Sequence, residues 1–442
     1  MLRTFHGGVH PNDMKAPTAG KAIVELDPPK ELVFPVTQHI GAPAVPCVSV
    51  GDRVYMGQKI ADAGGYVSAC IHSSVSGTVK AIEKRMNPNG LFVDSIVIEN
   101  DGLDEIDPDI QGHGDFKKLS AKEIVEIIKA AGLVGLGGAT FPVHVKLSPP
   151  SEAKIDYVIV NAAECEPYLT SDYRTMLELP DDIINGLRVI MHIFGLKTGY
   201  IGIEDNKPEA VKVMTEAAAK QKDAQIQVIT LKTKYPQGGE KQLINAITGR
   251  KVGPGQLPWQ VGAIVSNADT CRSIYRAVRS GMPLLTRIVT TGGDCVKSPG
   301  NFRVRIGTPL GYIIEQTGGL IDEPGKVVMG GPMMGLAVPN LDVPTVKGTS
   351  GLLVFNKKSA RGFEEGPCLR CAKCVYVCPM NLLPNKLDSA ARADDWDTLN
   401  KLNITDCIEC GSCAYVCPAK RRQVQQIKVA KVKMREAQQK AK

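Results

Sequence analysis

The chain has 442 residues, 43% of them apolar and 22% charged, with a mean hydropathy of −0.06; this excludes a chain disordered throughout and allows about three domains. No apolar run reaches the roughly 18 residues that span a bilayer, and the first residues lack the apolar core of a signal peptide, so a cytosolic chain is expected. Aromatics are only 5%, which argues against base-stacking platforms and nucleic-acid partners. The formal charge of +7 is confined to the end: residues 419–442 carry nine Lys/Arg against one acid, Glu436, and the rest is near neutral.

Residues 31–100 read as short strands, with Val48–Val50, Lys59–Ala61, Thr78–Ile82 and Ser95–Glu99 running between Gly, Pro and Asn turns. Val50–Ile60 followed by Ile71–Val79 resembles the biotinyl/lipoyl barrel-sandwich hybrid. The hairpin tip Gly64–Cys70 has no lysine to carry a prosthetic arm, so the module is expected to be structural.

Residues 120–280 alternate helix and strand, the pattern of an α/β layer with a mostly parallel sheet. Ser120-Ala-Lys-Glu123 is a capping box that opens an apolar-periodic helix. Strands are expected at Asp156–Val160, Gly199–Ile203, Gln227–Leu231 and Gly262–Val265. Helices are expected at Asp181–Phe194, Pro208–Lys220 and Glu240–Ile247. Residues 283–355 return to β structure with one helix near Leu310–Gln316. Pro344–Gly351 and Lys357–Gly366 read as linkers, and Asn385–Asn403 as one helical stretch.

Two cysteine runs follow. Cys368, Cys371, Cys374 and Cys378, and then Cys407, Cys410, Cys413 and Cys417, both have the C-x2-C-x2-C-x3-C-P spacing of two-cluster ferredoxins. Three cysteines at steps of three wrap one cubane, and the fourth reaches the other. Cys368, Cys371, Cys374 and Cys417 are therefore assigned to one [4Fe–4S] cluster, and Cys407, Cys410, Cys413 and Cys378 to the second. Paired zinc sites fit poorly, because zinc knuckles use separated C-x2-C pairs. Two neighbouring clusters form an electron wire, which implies a donor and an acceptor.

Three polar loops lie at strand-to-helix turns: Asn161–Tyr168 with Glu164 and Glu166, Tyr235–Lys241 with Gly239 and Glu240, and Val265–Thr270 with Asn267. In open α/β sheets ligands sit at the carboxyl ends of strands. Before them lies Gly135-Leu-Gly137-Gly138-Ala-Thr-Phe141-Pro, followed by Lys146. Its glycines let backbone N–H groups approach a phosphate; a helix cap and turn is the plainer alternative.

These loops resemble, in order, the FMN- and NADH-binding loops of the flavoprotein subunit of respiratory complex I. The order of modules along residues 1–420, opening with Phe5–Pro11, resembles the C subunits of Rnf-type ion-translocating electron transport complexes. The resemblance implies a multidomain α+β chain. It would comprise an N-terminal segment and barrel-sandwich hybrid (1–110), an α/β FMN/NADH domain (115–282) and a soluble-ligand-binding β-grasp-like module (283–355). A helical twin [4Fe–4S] ferredoxin module (362–420) and a basic tail (421–442) would follow.

It further implies that Gly135, Gly137, Gly138 and Lys146 hold the phosphate and ribityl chain of non-covalent FMN. Asn161, Glu164, Gly239, Glu240 and Asn267 would line the flavin, and Phe141, Glu166 and Tyr168 would face NAD(H). Leu136, Ala163 and Lys241 depart from the complex I pattern, as do two clusters where that flavoprotein has one. The implied activity is electron transfer between NAD(H) and ferredoxin-type or membrane partners. The chain would act as a peripheral subunit on the cytoplasmic face of the cell membrane, beside the other subunits of the complex. A soluble flavoprotein subunit of a hydrogenase or formate dehydrogenase is the rival, as is a wire without flavin. The tail is expected either to be a solvated helix or to dock on an anionic surface.

Overall fold

The computed structural model describes residues 2–440. A four-stranded parallel sheet lies at its centre, in the order Gln225–Leu231, Thr198–Glu204, Tyr157–Asn161, Ala263–Asn267. The strands alternate their side chains between two cores. Val158 and Val160 pack against the helices Pro180–Ile193 and Ala268–Ser280, while Ile159 and Val265 pack against Glu240–Thr248. Each fully buried aliphatic side chain contributes about 1.5–3 kcal/mol, which is why the helices clamp the sheet from both faces. Helix Ala121–Ala130 begins with the expected capping box, in which Ser120 and Glu123 satisfy each other's backbone N–H.

The strand order carries a switch. From Tyr157–Asn161 the chain winds outward through two strands on one side, then returns to place Ala263–Asn267 on the other. Asn161 and Asn267 are register partners at the carboxyl ends of these two strands. A crevice opens there in doubly wound sheets.

The N-terminal barrel-sandwich is built from a four-stranded sheet (Glu31–Pro35, Phe92–Asn100, Gly77–Met86, Arg53–Val54) and a three-stranded one (Val45–Pro46, Lys59–Asp62, Ile71–His72). Val48–Val50, read as a strand, is not one.

A six-stranded mixed sheet forms the third layer, in the order Ile23–Glu25, Gly300–Arg305, Thr286–Gly292, Gly351–Asn356, Pro324–Met329, Leu336–Val338. One of its strands, Ile23–Glu25, comes from outside the expected β-region. Ile23–Glu25 pairs in parallel with Gly300–Arg305. Gly351–Asn356 is central, parallel to Thr286–Gly292 and antiparallel to Pro324–Met329. Pro344–Gly351 is not a free linker either: Thr345, Lys347 and Thr349 are buried there.

The ferredoxin module is helical. The stretch read as one helix at Asn385–Asn403 is two, Pro384–Arg392 and Trp396–Lys401, broken where Asp394 takes a positive φ of 49°. Helix Gln423–Lys440 is not a solvated tail. Ile427, Ala430 and Met434 are buried in the same core as Cys378, Leu387 and Leu399. Its cations are partly spent as well, since Lys431 donates to the Cys407 carbonyl and Glu409, and Lys433 pairs with Asp394. Among the described residues no helix is long and apolar enough to cross a membrane.

Candidate functional site: a sheet-edge crevice and two thiol-lined cavities

The glycine loop crosses the switch point. A Cβ added at Gly137 would stand 2.9 Å from the Asn267 Cβ, so no larger residue fits without displacing that side chain. Asn267 caps helix Ala268–Ser280 by accepting from the Asp269 and Thr270 N–H groups, and its amide donates to Asp172 at 2.7 Å. Lys146 lies at the same edge, 2.9 Å from Glu240 and 3.0 Å from the Val265 carbonyl. The Asn161 amide donates to the Gly238 carbonyl at 2.7 Å. Thus Gly137, Asn267, Lys146, Glu240, Asn161 and the Gly238–Gly239 turn converge on one crevice. The N–H groups of Gly137 and Gly138 find no acceptor among the described residues. These are the donors that a phosphate takes up.

The acidic loop is fixed from beneath. Glu164 and Tyr168 hold positive φ values of 47° and 68°, conformations that need external support. Buried Lys15 supplies it by donating to the carbonyls of Glu164, Glu166 and Leu169. Lys207, also buried, donates to the Ala163 carbonyl at 2.7 Å. Burial pushes the Lys15 ammonium down, against the pull of Glu164. Neither lysine stands out in the sequence, because each reaches the loop from a segment distant along the chain.

The two glutamates of this loop differ from the expectation that they face ligand. The Glu164 carboxylate turns inward and accepts from the Asp172 and Tyr173 N–H groups at the start of helix Ser171–Glu178. Glu166 accepts from the Met333 and Met334 N–H groups at 3.0 and 2.9 Å, tying this loop to the mixed sheet, and burial raises it to about 6. The Tyr168 ring meets Phe355 edge-on at 5.5 Å. Phe141 bonds Gly135 through its carbonyl and closes the glycine loop. The side chain that sequence reasoning missed is Asp172. Burial, followed by Glu164 and Asp269, lifts it from its ordinary value near 3.8 to about 7.

The eight clustered cysteines surround two cavities. One is lined by Cys368, Cys371, Cys374 and Cys417, with Asn385 and Gln423 on its wall. The other is lined by Cys378, Cys407, Cys410 and Cys413, walled by Met380, Leu382, Val424 and Ile427. Each takes three thiols from one run and the fourth from the other. Among the described residues no three His, Cys, Asp or Glu side chains are placed to hold one metal ion. Tetrahedral zinc would draw four sulfurs to about 2.3 Å from a point; here the thiols ring a volume instead, which fits a cluster. Asn385 and Gln423 line the first cavity, and their side-chain oxygens Oδ1 and Oε1 are buried without a hydrogen-bond partner.

The cavities differ in depth. Cys368 and Cys371 are exposed, whereas Cys378, Cys410 and Cys413 are buried. The buried cavity abuts the crevice. The Tyr235 hydroxyl, on the loop that carries Gly238, donates to the Cys410 carbonyl at 2.8 Å. Gln242, at the start of the following helix, donates to the Pro379 carbonyl. Gly7 and Gly8 slip between them: the Gly8 N–H bonds the Val377 carbonyl, and a Cβ on Gly7, whose φ is +80°, would meet the Cys378 carbonyl at 2.9 Å.

Four segments of the chain match known family models. Residues 3–103 match the RnfC barrel sandwich hybrid domain, 128–276 the Nuo51 FMN-binding domain, 288–337 the SLBB domain and 367–421 the 4Fe-4S dicluster domain. The chain is 48% identical over 99% of its length, and 95% of the relative's, to the C subunit of the proton-translocating ferredoxin:NAD(+) oxidoreductase complex of Clostridium ljungdahlii. It is 46% identical over 97% of its length, and 96% of the relative's, to the Na(+)-translocating counterpart of Acetobacterium woodii. Among solved structures, an NAD+-reducing [NiFe]-hydrogenase chain overlays with a TM-score of 0.51 at 17% identity, covering 70% of this chain and 63% of that one. That likeness shows a shared fold alone.

Proposed function

The chain belongs to the C subunits of ion-translocating ferredoxin:NAD+ oxidoreductase complexes, and on that premise we propose how its residues divide the work of such a protein. It is an oxidoreductase subunit that carries FMN and two [4Fe–4S] clusters, uses NAD(H) as substrate and works with the other subunits of the complex. Bound flavin supplies the exchange between a nicotinamide's electron pair and the single electrons of iron–sulfur centres. Everything else falls to the chain. The Gly135–Gly138 backbone and Lys146 hold the anionic end of the flavin, and Asn161, Gly239, Glu240 and Asn267 form its walls. Lys15 and Lys207 hold the acidic loop in its strained conformation. Phe141 and Tyr168 lie on the side we assign to the nicotinamide.

The route follows depth. Clusters held by Cys378/Cys407/Cys410/Cys413, beside the crevice, and by Cys368/Cys371/Cys374/Cys417, open to partners, would relay single electrons in that order. The contact between Tyr235 and Cys410 is the observation that carries this order. Among the described residues no helix is long and apolar enough to cross a membrane, and we assign translocation to partner subunits. We place this protein on the cytoplasmic face of the membrane.

The test uses the purified full chain, analysed for flavin and iron, with NADH-dependent reduction of a one-electron dye. Selective loss of the surface centre should leave the buried one reducible by NADH. If losing the surface centre instead left the buried one unreduced, the order would be reversed.

A further inference from the structure

Arg287 is fully buried, lies on strand Thr286–Gly292 of the mixed sheet and points away from that sheet into the glycine loop. Its guanidinium has three partners: the Thr349 carbonyl at 3.0 Å, the Asp269 carboxylate, and the Leu136 carbonyl at 3.1 Å. The Leu136 N–H is held as well, by the Thr270 hydroxyl at 2.9 Å. Both backbone groups of the residue before Gly137 are therefore fixed. Asp269 is shared with Arg272, so two guanidinium groups and one carboxylate lie buried behind the loop.

The peptide plane gives this clamp a consequence. The Leu136–Gly137 bond is trans, since the one cis bond among the described residues is Tyr235–Pro236. In a trans peptide the C=O and the following N–H point in opposite directions. A Leu136 carbonyl held toward Arg287 turns the Gly137 N–H outward, where it finds no acceptor among the described residues.

We propose that Arg287 is a positioning residue for phosphate recognition: by holding the Leu136 carbonyl inward, it aims the Gly137 N–H at the phosphate monoester of the flavin. The mixed-sheet module thereby sets the affinity of a site that lies in the neighbouring α/β domain. This rests on the reading that the glycine loop holds the FMN phosphate. Lysine is a poor substitute, because a point ammonium cannot reproduce a planar fork with three divergent acceptors.

The experiment compares FMN with riboflavin, which lacks the phosphate. Full chain is stripped of flavin with its clusters retained, and both dissociation constants are measured by fluorescence quenching. The variants are Arg287→Lys and Thr270→Val, the latter releasing Leu136 from the other side without touching the charged network. A hydrogen bond to a charged group is worth about 1.5–3 kcal/mol, or roughly tenfold to hundredfold in affinity. Arg287→Lys should weaken FMN binding by that factor and riboflavin binding by less than about twofold, and Thr270→Val should do the same to a smaller degree. Iron content and thermal midpoint report the fold; if Arg287→Lys fails them, Thr270→Val decides. An unchanged FMN-to-riboflavin ratio in the folded variants, or equal loss of both ligands, overturns the inference. Wild-type chain that binds riboflavin as tightly as FMN would overturn the underlying phosphate reading instead.

Discussion

Removing residues 421–442 should destroy the iron–sulfur module rather than detach it from a membrane. The helix Gln423–Lys440 contributes Val424, Ile427 and Met434, with relative exposures of 7%, 0% and 9%. At about 1.5–3 kcal/mol per buried side chain these amount to roughly 5–9 kcal/mol, an upper bound because the unfolded chain already shields some apolar surface. Arg421 is also lost, and with it one of the two guanidinium partners of the buried Asp388. Stripping a partner from a buried carboxylate costs about 3–5 kcal/mol, less here because Arg392 remains. The total approaches the roughly 5–15 kcal/mol that holds a whole domain together. Val424 and Ile427 also wall the buried cavity and Gln423 the exposed one, so both centres lose part of their enclosure. The assay is iron per chain after anaerobic reconstitution, with thermal loss of cluster absorbance. Ile427→Ala provides the graded version, at about 2–5 kcal/mol for one buried aliphatic side chain. A truncated chain that kept its full iron and its midpoint would refute the packing argument.

Three further outcomes are expected. Cys378→Ala should damage the centre held by Cys407, Cys410 and Cys413 and spare the one held by its own run, as read by EPR of the reduced chain; loss confined to the Cys368–Cys374 centre would refute the grouping. Gly137→Val should drive a side chain into Asn267 and release FMN while both clusters remain, so full flavin occupancy in that variant would count against the cradle. Asp172 holds its proton more tightly in the folded chain than in the unfolded one, so its contribution to stability is present below about pH 4 and is lost as pH rises through about 7. Asp172→Asn should therefore flatten the stability profile over that window and gain up to a few kcal/mol at pH 8, measured by denaturant unfolding; a profile identical to wild type would refute it.

Local signals are legible in the sequence and non-local pairings are not. The capping box at Ser120 and Glu123, helix Leu310–Gln316 and the parallel strands are set by neighbours in the chain, and all appear within a few residues of where periodicity places them. Helices Ser171–Glu178 and Ala268–Ser280 escape that reading. The first has a polar, weakly periodic sequence. The second begins inside what reads as a ligand loop, because Asn267 serves as both cap and site residue. Ile23–Glu25 is too short to announce itself, and its partner is nearly 280 residues away. The charged stretch after Lys420 reads as a tail because Lys and Arg dominate its composition, yet one turn-spaced row, Ile427, Ala430 and Met434, is enough to bury it.

The same distinction explains where the sites sit. Each motif names its donors, but the groups that fix those donors come from other modules. Lys15 arrives from the N-terminal segment to hold the acidic loop. Glu166 leaves that loop to bind the mixed sheet at Met333 and Met334. Arg287 leaves the mixed sheet to hold the glycine loop. Tyr235 joins the flavin-side loop to Cys410. Every one of these bonds crosses between modules, and one of them, from Tyr235 to Cys410, joins the flavin-side loop to the buried cavity. A binding module assembled from independent domains would have no reason to place its buried ions at the joints. A chain that must hold successive centres at fixed separations does, because a shift of one module against another changes the distance each electron has to cross.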